Sequence, residues 1–100
     1  MSTPPVFHPA PAGLPFSTAV RIPGLLMLSG QIPFDSDGRP HGGSIEEQTH
    51  AVLKSIAATL ESLGSSMDRV VKASVWLSHL EDSATFNRIY TSYFQEGRYP

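Results

Sequence analysis

Cysteine is absent from the 100 residues, which excludes both disulfide staples and thiolate chemistry. Charge of either sign is sparse: seven Lys and Arg stand against nine Asp and Glu, a formal net charge of −2. No basic residue has a basic neighbour, so the chain lacks the electrostatic footprint of a nucleic-acid binder and nucleic acid is disfavoured as a partner. No apolar run approaches the roughly 18 residues of a membrane span, and the start lacks the basic and apolar regions of a signal peptide. The expectation is a cytoplasmic protein with no membrane partner. Gly42-Gly43 lacks the Lys-Ser of a phosphate loop, and no serine stands in a nucleophile elbow. His8, His41, His50 and His79 are scattered rather than set at ligand spacing, so no metal is assigned.

What the chain does contain is organised around Leu25 to Gly38. Leu25 to Leu28 is a continuous apolar run, the pattern of a strand covered on both faces. It meets Ser29-Gly30, where a glycine lets a ligand or another backbone come close and a serine offers a hydroxyl. Pro33 removes a donor and limits further pairing, and Asp35-Ser36-Asp37-Gly38 reads as a turn ending on a residue that tolerates positive φ. Taken alone, Ser29 to Pro33 is more simply a strand exit than a binding site.

The remaining elements follow in order. Met1 to Leu14 carries Pro4, Pro5, Pro9 and Pro11, which favours an extended, polyproline-like arm, with His8 exposed to solvent. Pro15 to Ile22 alternates as a half-buried strand, and Pro23-Gly24 turns it into the Leu25 strand. Ser44 and Glu47 have capping-box spacing at the start of a helix. Ile45, Val52, Leu53, Ile56, Leu60 and Leu63 recur along it with helical period, and Gly64 stops it. Glu46 and Glu47 suit the helix dipole better than a catalytic carboxylate pair. Val70 to Leu77 reads as a third strand joined by a crossover, with Trp76 on a face that packs against another subunit. Asp82 or Ser83 caps a second helix, whose stripe of Phe86, Ile89, Tyr90, Tyr93 and Phe94 is read as core, and Gly97 ends it. One α+β domain over 1–100 is expected, an arm at 1–14 and a fold body at 15–100.

Ser29-Gly30-Gln31-Ile32-Pro33, followed by an Asp and a Gly, resembles the signature of the Rid/YjgF family, whose best-known members are enamine/imine deaminases. Further matches follow in order at Gly13 to Ser17, Gly43 with Ile45 to Thr49, Leu63 to Asp68 with Val70 to Lys72, and Phe86 to Tyr90 with Tyr93-Phe94. The resemblance implies a sheet backed by two helices, the chorismate-mutase-like fold, assembled as a homotrimer with pockets between subunits. It implies hydrolysis of 2-imino or 2-enamino acids to 2-oxo acids and ammonia with no cofactor. By the same resemblance Phe16, Ser29, Gly30, Gln31 and Asn87 lie near a pocket for a small imine, carbonyl or carboxylate compound. Phe16 stands where deaminating members carry tyrosine, so one hydroxyl is missing. The family's substrate-binding arginine, its catalytic glutamate and its last sheet strands belong to positions past Pro100, and Arg98 does not substitute for that arginine. No catalytic residue is therefore assigned. A ligand-binding or regulatory module, or an altered enzyme, is the alternative implied, and ribonuclease action is the least favoured.

Overall fold

The computed structural model describes residues 3–100 in two compact units, one ending at Gln31 and the other running Ile32–Pro100. It is an α+β fold: the strands come first in the chain and the α-helices follow.

In the first unit β1 (Val6–Pro9), β2 (Ser17–Ile22) and β3 (Leu25–Leu28) form an antiparallel sheet in that order. Ile22 pairs directly with Leu25, so Pro23 and Gly24 make the whole turn, with proline fixing its own φ and Gly24 taking φ +78°. The proline-rich start, expected as an extended arm, gains its order by pairing with β2: Phe7 pairs with Val20 and His8 with Ala19. Valine and phenylalanine favour a pleated surface, and Pro9, which has no donor, falls where the register shifts and pairing ends. His8 is correspondingly half-buried rather than exposed, and its Nε2 is buried with no partner among the described residues. Residues 1–2 of the expected arm lie outside the described ones.

The register separates the two faces of this sheet. His8, Ala19 and Leu28 lie in one row, and Ala19 is buried. Phe7, Val20 and Met27 lie in the adjacent row on the opposite face, where Phe7 is 62 % exposed and Met27 57 %. Leu25 and Ile22 share that outer face and are exposed as well. The Leu25 run is thus not covered on both faces: a continuous apolar sequence states which residues want cover but does not supply it.

In the second unit α1 (Ile45–Ser62) begins as its sequence requires. The Ser44 hydroxyl accepts from the Glu47 amide at 3.1 Å, and the Glu47 carboxylate accepts from the Ser44 amide at 3.5 Å. Its end is a Schellman motif: Gly64 at φ +79° donates to Glu61 O at 3.1 Å and Ser65 donates to Leu60 O at 2.8 Å. Leu53 and Leu60 are buried on one face, with Thr49, and Glu46, Lys54, Ser55 and Glu61 are exposed. Thr49 stays inside because its hydroxyl donates to Ile45 O at 2.6 Å, which satisfies it without a tertiary partner.

α2 (Ser83–Ser92) packs on α1 through the buried Phe86 and Ile89, while Tyr90, Tyr93 and Phe94 are half-buried, so the aromatic stripe is core. Two expected boundaries differ. Asp82 holds the N-cap position but its side chain makes no capping bond, and the Ser83 hydroxyl donates instead to Leu80 O. The helix stops at Ser92, five residues before Gly97, which serves a later turn at φ +82°. The larger correction is at Val70 to Leu77. No strand forms there, no backbone hydrogen bond engages residues 71–78 among the described ones, and the expected crossover is absent. Strand propensity needs a partner ladder to act on, and here Val71 and Trp76 stand 78 % and 87 % exposed.

Candidate functional site

The strand exit at the end of β3 is built from three contacts within the first unit. The Ser29 amide donates to Thr18 O at 3.1 Å, extending the β2–β3 ladder one residue past the strand. The Ser29 hydroxyl is directed at the same carbonyl at 3.4 Å. The Gln31 side-chain amide reaches back and donates from Nε2 to Ser29 O at 3.0 Å. Between these anchors Gly30 is exposed, and a Cβ placed there would meet nothing within 4 Å. Among the described residues no acceptor engages the backbone N–H of Gly30 or Gln31.

This arrangement can bind an oxygen-rich ligand. Two backbone donors remain unspent next to open space, which suits a carboxylate or carbonyl oxygen. The Ser29 hydroxyl gives its proton to Thr18 O and therefore offers lone pairs, which suits an N–H of the ligand. Phe16, one residue before β2, is half-exposed and brings apolar surface without a hydroxyl. The fold thus places Ser29, Gly30 and Gln31 in the irregular segment that leaves β3. Asn87 belongs to the second unit, on an exposed position of α2, where its backbone carbonyl accepts from the Thr91 hydroxyl at 2.9 Å. Thr18 was not among the expected residues, and only its spacing from Ser29 across the hairpin could have pointed to it.

The second unit holds a different polar group that its sequence did not announce. His50 Nδ1 and the Tyr93 hydroxyl are 2.7 Å apart, linking α1 to α2 across 43 positions of sequence. Burial pushes the phenols of Tyr93 and Tyr90 above their ordinary range. His50 also borders an open cleft of about 630 Å³ lined by His41, Glu46, Glu47 and Lys54. Glu46 faces Arg88 at 3.6 Å and Glu47 serves the cap, so both acids have structural roles. A smaller cleft lies between Asp68, Arg69 and Arg98, where Arg98 Nη2 donates to Asp68 O at 3.1 Å. Hydrogen bonding from Ser66 holds the Asp68 carboxyl below its usual range, aided by the two arginines. Among the described residues no group of three or more His, Cys, Asp or Glu is set to hold a metal ion. None of their helices is long and apolar enough to cross a membrane.

The family described as endoribonuclease L-PSP matches residues 7–100. This chain belongs to the Rid/YjgF family. A RutC family protein of Pyrococcus abyssi is 41 % identical over 91 residues, covering 90 % of this chain and 71 % of that protein. The mouse 2-iminobutanoate/2-iminopropanoate deaminase is 36 % identical over 88 residues, covering 86 % of this chain and 65 % of that enzyme. A solved Rid family protein of Yersinia pestis superposes with a TM-score of 0.82 at 37 % identity, covering 93 % of this chain and 74 % of that one. The strands and helices above are therefore a Rid fold.

Proposed function

We propose that this Rid protein binds small 2-imino, 2-oxo and related carboxylate compounds at the Ser29–Gln31 segment and hydrolyses the imino forms to 2-oxo acids and ammonia. The observation that carries the reading is the pair of unspent backbone donors at Gly30 and Gln31 beside open space. The likeness to the mouse deaminase supplies the substrate class. In the reaction water adds across the C=N bond, the resulting carbinolamine collapses, and the C–N bond breaks to release ammonia. The segment binds and orients: donors hold an oxygen of the substrate, and the Ser29 lone pairs accept from the imine N–H. Asn87 is the contact proposed from α2. No described residue is assigned as acid or base.

The proposed assembly is a homotrimer with the ligand site completed between subunits. The exposed, uncharged outer sheet face of Phe7, Ile22, Leu25 and Met27 supports association. One observation favours a second reading, a binding or regulatory module without turnover: Phe16 removes a hydroxyl that deaminating members possess. The test is release of ammonia from freshly generated 2-iminobutanoate, with 2-oxobutanoate binding measured in parallel. Release well above the spontaneous rate is expected. Binding without release selects the module, and neither binding nor release ends both readings.

A further inference from the structure

The segment that presents Gly30 is held by a side chain to which the ligand-binding reading gives no role. Gln31 Nε2 donates to Ser29 O at 3.0 Å in a part-buried contact, closing a small ring around Gly30. On the other side the Ser29 amide is fixed to Thr18 O at 3.1 Å. Glycine loses more conformational freedom on ordering than any other residue. A glycine between two tethers has lost much of that freedom before a ligand arrives, and the ligand is spared the cost. The Gln31 amide nitrogen carries two hydrogens, so the bond to Ser29 O is kept whether or not the second one meets a ligand.

We infer that Gln31 is a positioning residue: its side-chain amide locks the Ser29 carbonyl and so pre-orders the backbone donors of Gly30 and Gln31, and the side chain acts on the ligand through them. The inference rests on the binding reading above for its consequence but not for its geometry. In Gln31→Met the side chain keeps its length and loses its donor. The NMR order parameter of the Gly30 amide in the ligand-free protein is then expected to fall, and 2-oxobutanoate affinity to fall by roughly two- to twelvefold, the range of one lost hydrogen bond.

Gln31→Glu tests the donor, and the ligand-free protein separates positioning from contact. At neutral pH the glutamate carboxylate has no proton to give Ser29 O, so this variant matches the methionine variant. On acidification through the ordinary glutamate range, near pH 4.3, the protonated carboxyl becomes a donor again and affinity relative to wild type recovers. Because 2-oxobutanoate only accepts hydrogen bonds, a glutamine that acted by donating to it would give the same affinity course but would leave the Gly30 order parameter of the ligand-free protein unchanged in both variants. That unchanged order parameter, or a pH-independent glutamate variant, overturns the inference. Absence of 2-oxobutanoate binding by the wild-type chain would instead remove the binding reading, and the Gly30 order parameter in the two variants would still decide the role of Gln31.

Discussion

At the scale of single residues, the contacts that matter most are those joining distant points of the chain. Tyr93→Phe removes the hydroxyl that meets His50 and keeps the ring, so it should cost about 1 kcal/mol in urea unfolding, close to one net hydrogen bond. The two raised phenols also set an alkaline limit. Tyr90 and Tyr93 hold their protons more tightly folded than unfolded, because burial disfavours the phenolate. Their contribution is therefore complete below the unfolded value of 10.0 and is lost as pH rises through the higher folded values. Melting temperature should fall above that pH, and less steeply in Tyr93→Phe. At this scale the strand end at Leu28 was legible, since Ser29-Gly30 follows the apolar run there. The partnership with Thr18 and the His50–Tyr93 contact were not, because each depends on which residue folding brings opposite.

Elements divide by whether their signals are local. α1 was readable from both ends, because a capping box and a Schellman glycine act within a turn of the helix they bound. Ser44→Ala should accordingly destabilise the fold by about 1 kcal/mol, within a span of about 0.5–2, measured by chemical denaturation. A glycine at position 44 should cost only a few tenths of that unit. Strands carry no comparable instruction. Val6–Pro9 pairs despite its proline, because β2 lies alongside to receive it, whereas Val70 to Leu77 has the better strand composition and forms none. The same non-local dependence left Leu25 and Met27 uncovered where the sequence pointed to burial.

For the whole molecule the question is what the apolar surfaces are for. Exposed apolar side chains gather on one uncharged sheet face, the kind of surface on which the proposed trimer would draw. If that face makes the proposed trimer, sedimentation should give three times the 10.8 kDa chain mass. Met27→Lys, which puts a charge at the middle of the Phe7–Val20–Met27 row, should then shift the population to single chains. Because Met27 is already 57 % exposed, the lysine leaves the chain's own fold intact, and circular dichroism should match the parent. Unchanged sedimentation would remove this face from the assembly. The same uncovered stretch that failed to become a strand carries the chain's one tryptophan, with its indole almost wholly in water. It is a built-in optical gauge: the fluorescence colour of Trp76 reports directly whether anything has come to lie on that segment, in any buffer and without a label.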